Sequence, residues 1–599
     1  MQIESGTAGD AEMTGTRYTG PALAARLAHA LAGTPAERTF LSSRDGRLTW
    51  GALTDRLDAA LEMFGRLGLK PGDRVVLGLG DEIADCCLFL ACLRAGITAI
   101  MADRNATPDA MLALIAAARP RAVWLRSDLA ALSTLQPIAA PMPLDRPAGA
   151  RPAWPSPPPD ETIAAVVFTS GTTSLPKGVQ ISHRALAAQM DAFAEVYGFG
   201  PDTRMLNLLP LHHVDGLFRG LVASAVHGAE LHRPASFNIQ GLPAMHDTMK
   251  REKISHLIAV PTMLSLMLRV SGTGGRPNPD LRCVISSADL LDEALWRRTE
   301  AALGLPVINA WGQSECVCDA LYAIPRVDGA QIGTIGHPIG CEARVSDATG
   351  ASIQDGMVGE LQIRGLQLMS GYLDQPEATE AAMVDGWLRT GDLVTRDAEG
   401  TFRFVGRRST LIVSRGVSVH PENITAALLT SDEVEEAFVL GQPDPAWGER
   451  IVACVVPSVG KNPGISALND LCRATLTPEK RPHKILLLDA LPRGAAGKVR
   501  IDILRALIAE HEASPQRAEP ETPSVLSVAS TCFKMDPDKL SPDSTPFNTQ
   551  DWDSLGHILF IEALEAAFDI TLTPEDIIGL ASLADAEAIT ARHIARRSA

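Results

Sequence analysis

The sequence predicts a multidomain chain of α/β and α+β class that ends in a separate all-α module, and three patterns carry that reading. Helical stretches alternate with short apolar runs over residues 22–123 and again over 163–304, the arrangement expected of layered parallel sheets. Glycines punctuate short strand-like pieces from Ile332 to Phe404, as in a small barrel or a twisted β layer. Residues Ala513 to Ser524 form a proline- and charge-rich stretch without apolar periodicity, and helical spacing takes over after it.

In chain order, Leu53 to Leu67 has helical spacing, while Val75-Val76-Leu77-Gly78 and Gly96 to Met101 read as short strands. Ala148 to Asp160, with Pro152, Pro155, Pro157, Pro158 and Pro159, is a loop. Ile163 to Phe168 is a buried-strand run, Gly359 to Gly365 is a strand of the glycine-punctuated layer, and Leu411 to about Ala509 is mixed. In the last module Ile558, Ile561, Leu564 and Phe568 share one face of a helix.

The chain has 599 residues, about four times a typical domain of roughly 150, so several cores are required. Apolar residues at 46% and charged residues at 21% place it in the ordinary globular range. Lys+Arg 54 against Asp+Glu 71 gives a net charge of −17, which argues against nucleic acid as a partner and leaves room only for a local basic pocket around a small phosphate ligand. The ten cysteines are scattered without paired C-x-x-C spacing, and Cys86 and Cys87 sit in apolar surroundings, as expected in a reducing compartment. The start lacks a basic and then apolar leader, and no run approaches the ~18 apolar residues of a membrane span, so a cytoplasmic protein without membrane association is expected.

Phe168-Thr169-Ser170-Gly171-Thr172-Thr173-Ser174-Leu175-Pro176-Lys177-Gly178 is the most informative stretch. Glycines and hydroxyls after a buried strand supply backbone N–H and Oγ donors for a polyphosphate, and Lys177 adds positive charge. It is not G-x-x-x-x-G-K-[ST], because Lys177 precedes the second glycine. Asn309-Ala310-Trp311-Gly312-Gln313-Ser314-Glu315, Trp387 to Leu393, Gly406-Arg407 and Gly497-Lys498 follow in that order.

Together these segments resemble the adenylate-forming superfamily of acyl-CoA synthetases, nonribosomal adenylation domains and luciferases, over roughly Ala22 to Ala509. The resemblance implies a large adenylating body over 20–408, made of two α/β layered subdomains plus the small β-barrel, and a small α+β C-terminal lid over 409–510. It implies that Thr169, Ser170, Gly171, Thr172, Thr173 and Lys177 hold the β,γ-phosphates of ATP. Trp311, in place of the usual tyrosine, would stack on adenine beside Gly312. Ser314, in place of threonine, would face the α-phosphate, Glu315 would position Mg²⁺, and Asp392 and Arg407 would bind the ribose hydroxyls. Lys498 would stabilise charge that builds as a carboxylate attacks the α-phosphorus. The domain hinge would fall at Ser409, where Asp or Lys is usual.

Beyond a linker over 511–524, Asp551-Trp552-Asp553-Ser554-Leu555-Gly556-His557 resembles the phosphopantetheine attachment motif of acyl and peptidyl carrier proteins, which implies a four-helix carrier domain over 525–599 with 4'-phosphopantetheine on Ser554. A phosphopantetheinyl transferase and a downstream ketosynthase or condensation domain would then be partners, and the chain would load its own carrier for a polyketide or nonribosomal peptide pathway. The alternatives are an acyl-CoA ligase using free CoA, an amino-acid-activating module, and a non-catalytic carrier scaffold.

Leu209 to Leu217 resembles the Pro-x-x-His segment of acyl and aryl acid synthetases, which places His213 in the acyl pocket with Val214, Ser287 and Ala288. Apolar Val214 disfavours an α-amino acid, whose ammonium would be buried without a partner, although Asp215 is one position away. Ser286-Ser287-Ala288-Asp289-Leu290 departs from Gly-Gly-Ala-Pro-Leu by two hydroxyls and a carboxylate, and aromatic residues are only 5%. A short or medium, polar or hydroxylated carboxylic acid is the expected substrate.

Overall fold

The computed structural model describes residues 22–80, 82–103, 106–126, 154–169, 177–234, 242–271, 278–324, 332–414, 417–444, 448–458, 460–493, 499–513, 524–533, 535–545, Thr549, Trp552 and, with short interruptions, 560–597. They fall into two units, 1–408 with 493–498 and 409–492 with 499–599.

The first unit holds two layered sheets. In one, strands Arg74–Gly78, Thr98–Met101, Ala122–Leu125 and Ile163–Thr169 run parallel, and Lys177–Ser182 and Gly371–Tyr372 close one edge antiparallel. The other has nine strands, with a parallel centre of Val307–Trp311, Cys283–Ser286, His256–Ala259, Arg204–Asn207, Glu230–Arg233 and Thr39–Ser43. Helices pack on these sheets by apolar faces. In Trp50–Arg66 the Thr49 hydroxyl caps the first turn by accepting from the Ala52 N–H at 3.2 Å, and buried Leu53, Leu57, Ala60 and Phe64 recur at helical spacing. Helix Glu82–Ala95 is buried on nearly all sides, which explains its continuous apolar run. None of the ten cysteines is in a disulfide, and eight are buried.

Thr39–Ser43 and Gly46–Thr49 join the nine-stranded sheet, across strands that belong to the other one. One expectation changes. The glycine-punctuated region is an antiparallel sheet of Cys341–Ser346, Gly359–Gly365 and Trp387–Arg396, with Met383–Val384 and Phe402–Arg407 both paired to the last. Among the described residues its outer strands do not pair with each other, so it is an open sheet rather than a barrel.

In the second unit, Val434–Asp444 and Gly448–Pro457 form a long antiparallel pair, flanked by Ile412–Ser414, Val417–Val419 and Lys484–Leu487. Helices Pro421–Leu428 and Ile465–Thr475 bury Ile424, Leu428, Leu468 and Cys472 in the same core. Residues 525–589 contribute a core of their own, in which the Phe533 ring stacks on Trp552 at 4.6 Å and meets Phe560 at 5.0 Å. Helices Val525–Phe533 and Leu583–Arg597 bound this module, and the rest of the expected four-helix pattern lies partly outside the described residues.

His183 opens helix His183–Tyr197, is 1% exposed, and among the described residues neither ring nitrogen has a hydrogen-bond partner. Burial pushes its pKa down to about 4, so the native chain keeps the ring neutral while the unfolded chain protonates it near pH 6.5. The unfolded state therefore gains protons first as the pH falls, and stability is lost between about pH 6.5 and 4, by roughly 3 kcal/mol for this group. We expect His183→Phe to lose less of its thermal midpoint than the parent between pH 6.5 and 4.5. Parallel decline of the two proteins would refute this.

Candidate active site

The parallel strands of the nine-stranded sheet end in register, with Ile258 opposite Asn207, Ala259 opposite Ser286, and Ser286 opposite Asn309. The carboxyl ends of such strands are where open α/β sheets bind ligands, and Trp311 lies at one of them. Trp311 is the last residue of its strand, and its indole N–H donates to Asp392 Oδ2 at 3.0 Å. Arg407 lies opposite Asp392 in the antiparallel sheet and pairs with its Oδ1 at 2.8 Å. Trp311 and Arg407 thus approach opposite oxygens of this 2% exposed carboxylate.

Gly312 has a steric reason to be glycine: a Cβ there would lie 1.6 Å from the Cys318 carbonyl oxygen, where the chain doubles back. That reversal leads through the short turn Ser314–Cys316. Ser314 is half-buried, with a hydroxyl that makes no hydrogen bond among the described residues. Glu315 Oε1 accepts the Tyr372 hydroxyl at 2.8 Å, and Lys177 Nζ lies 4.7 Å from the centre of the same tyrosine ring. Burial and then Glu315 push the Tyr372 phenol up, so it remains a donor. Tyr372 thereby joins Lys177 to Glu315, a link that its place fifty-seven residues after Glu315 conceals.

Thr169 and Lys177 face each other across a hairpin. The phosphate-loop residues Ser170, Gly171, Thr172 and Thr173, together with Lys498 and Ser554, lie outside the described residues. Ser409 is the first residue of the second unit.

The residues that the sequence assigned to an acyl pocket also lie near one another. The His213 ring lies tilted against His212 with centres 4.3 Å apart, Val214 is buried, and a π-helix, Asp215–Val222, begins immediately after it. Such helices are uncommon and frequent at functional sites. Ser287 donates to Asp215 Oδ1 at 3.1 Å and accepts from Arg219 Nη1 at 2.6 Å. Ala288 follows with φ of 71°, a left-handed conformation costly for alanine. The turn leaves Asp289 exposed, its Oδ1 accepting from the Leu290 N–H at 2.8 Å, so Asp289 does not furnish the polar wall that sequence proximity implied.

Sequence reasoning missed the group at the centre of this pocket. Arg219 is fully buried and pairs with Asp215 at 2.8 Å and with both oxygens of Asp319, which also accepts the Tyr197 hydroxyl at 2.9 Å. Burial would push the guanidinium down, but Asp319, then Cys318 and Asp215, hold it well above its usual value. The i,i+4 acid–base spacing of Asp215 and Arg219 was the available signal. Asp215, Cys318 and Asp319 offer ligand atoms within 4.8 Å of one another, spacing that suits a metal, yet Arg219 already supplies the cation that neutralises them. Among the described residues no helix is long and apolar enough to cross a membrane.

Comparison with known proteins identifies the family. Residues 27–373 match the model of the AMP-binding enzyme family, and residues 423–498 match the AMP-binding enzyme C-terminal domain. The chain is 32% identical over 495 residues to sulfoacetate–CoA ligase of Cupriavidus necator, covering 80% of this chain and 96% of that one. It is 29% identical to oxalate–CoA ligase of Arabidopsis thaliana, covering 80% and 96%. The ATP-bound structure of MatB from Rhodopseudomonas palustris superposes with a TM-score of 0.71 at 25% identity, covering 82% of this chain and 99% of that one. A structure of o-succinylbenzoate CoA synthetase from Bacillus subtilis, with its acyl-adenylate, superposes with a TM-score of 0.71 at 26% identity, covering 80% and 97%. The chain belongs to the AMP-binding enzyme family and is an ATP-dependent acyl-adenylating ligase.

Proposed function

We propose that the chain activates a carboxylic acid as its acyl-adenylate, releasing pyrophosphate, and then passes the acyl group to the thiol of free CoA. The convergence of Trp311, Asp392, Arg407 and Glu315 at the sheet's carboxyl edge carries the first half-reaction. In this reading Trp311, Asp392 and Arg407 hold the nucleoside, Thr169 to Thr173 and Lys177 the terminal phosphates, and Ser314 the α-phosphate. Glu315 fits Mg²⁺, because its second carboxylate oxygen has no partner among the described residues and a hard cation takes oxygen ligands. Lys498 supplies positive charge to the transferring phosphoryl group. His213, Val214, Ser287 and Ala288 border the acyl chain, and the lid turns about Ser409 between the half-reactions. CoA as acceptor is supported by the relatives named above, which include two CoA ligases and a CoA synthetase.

One observation favours a second reading of the acceptor. The separately cored module of residues 525–589 lies beyond the matched families, and Ser554 falls within it. Phosphopantetheine on Ser554, installed by a phosphopantetheinyl transferase, would make that module the acceptor and a ketosynthase or condensation domain the recipient. Untreated enzyme given acid, ATP, Mg²⁺ and CoA is expected to form acyl-CoA, equally in Ser554→Ala. If acyl-CoA is absent, and intact mass shows acylated phosphopantetheine only on transferase-treated protein that retains Ser554, free CoA is not the acceptor.

A further inference from the structure

We propose that Asp215 selects the substrate, and that the acid it selects carries a hydrogen-bond donor, a hydroxyl or an ammonium, on its tail rather than a second anionic group. The inference rests on the acyl-adenylating reading above and names the substrate class for that site.

A guanidinium has five N–H donors, and all three nitrogens of Arg219 are taken up by neighbours within the cluster. Nε donates to Asp319 Oδ2 at 3.2 Å. Nη1 donates to Ser287 Oγ at 2.6 Å and meets Asp215 Oδ1 at 2.8 Å. Nη2 donates to Asp319 Oδ1 and to Cys318 Sγ, the latter at 3.3 Å. Arg219 is 0% exposed and its main carboxylate partner, Asp319, only 2%, so neither is open to a ligand. An anionic tail entering this pocket would find no free donor on the one cation of the cluster.

Asp215 differs from its neighbours. Its side chain is 15% exposed, and its Oδ1 collects the contacts from Arg219, Ser287 and Cys318, while Oδ2 makes none among the described residues. The cluster sets two carboxylates against one guanidinium, so it keeps one net negative charge, and the accessible lone pairs are on Asp215. That arrangement attracts a donor or a cation and repels a carboxylate or sulfonate. The segment after Val214 thus holds the acid group that the apolar residue itself lacks, and the open left-handed turn at Ala288 borders the same cluster through Ser287. Sulfoacetate and oxalate, the acids in the names of the two relatives above, each carry two anionic groups, so this chain's substrate class departs from theirs.

The test is acid-dependent ATP–pyrophosphate exchange by the full-length protein with matched sets at each length from three to eight carbons, and a benzoate set: unsubstituted, hydroxy, amino and dicarboxylic. The expected result is a kcat/KM for a hydroxy or amino acid about tenfold or more above its unsubstituted and dicarboxylic counterparts. Asp215→Asn, which can still accept from a hydroxyl but has lost the charge, should keep a hydroxy preference and lose an amino one. Asp215→Leu should abolish either. A parent that prefers the dicarboxylic or unsubstituted acids overturns the proposal with no variant needed, and an unchanged preference in Asp215→Leu overturns the assignment to Asp215. Exchange with no acid in any set would overturn the adenylation reading itself, and so is told apart from a wrong tail.

Discussion

Replacing Lys498 by alanine is expected to slow acyl-adenylate formation by about 10²–10³-fold while ATP binding persists. In-line attack of a carboxylate on the α-phosphorus gathers negative charge on the phosphoryl oxygens and on the forming mixed anhydride. A placed ammonium stabilises that charge more in the transition state than in bound ATP, so its loss falls on the rate rather than on affinity. The groups assigned to the nucleoside are linked by the Trp311 indole N–H donating to Asp392 at 3.0 Å and by the ion pair of Arg407 with Asp392 at 2.8 Å. Single-turnover formation of the adenylate, read beside ATP binding by calorimetry, separates the two quantities. An unchanged rate would remove Lys498 from the reaction, and a lost ATP affinity would make it a binding group instead.

The second large effect is on stability. Arg219→Met removes a cation from a fully buried site and strands Asp319, itself 2% exposed, with Asp215 beside it. Breaking a buried ion pair from one side typically costs about 3–5 kcal/mol, because the remaining charge is left uncompensated. We expect a clear fall in the thermal midpoint, and recovery of more than half of it in Arg219→Met/Asp319→Asn, where the stranded charge is gone. If the double variant is no more stable than the single one, the cost arises from packing around the Arg219 stem, which faces the Phe193 ring with Cζ 5.8 Å from its centre.

What the sequence revealed and what it hid follow from the range of the interactions. Strand Gly359–Gly365 and helix Trp50–Arg66 were legible because apolar period and capping are local properties. Period does not name a strand's partner, so nothing in Thr39–Ser43 announced that it would pair with Glu230–Arg233. Closure of a barrel likewise depends on the outer strands meeting, which glycine spacing cannot specify. At the site, Trp311, Glu315, Asp392 and Arg407 were singled out because each sits in a short recognisable segment. The Arg219–Asp319 pair joins residues a hundred positions apart and the Tyr372–Glu315 bond spans fifty-seven, so both needed three dimensions. Ser287 was placed in the pocket by its segment, but the backbone turn at Ala288 sent its neighbour Asp289 outward, where side-chain polarity alone gave no warning.

Acid-dependent exchange of labelled pyrophosphate into ATP by the parent protein tests the central claim most directly, because it requires a reversible acyl-adenylate and nothing downstream of it. The account predicts exchange that needs both Mg²⁺ and a carboxylic acid, does not need CoA, and is undiminished in Ser554→Ala. A protein that binds ATP but exchanges no pyrophosphate with any carboxylic acid would contradict it.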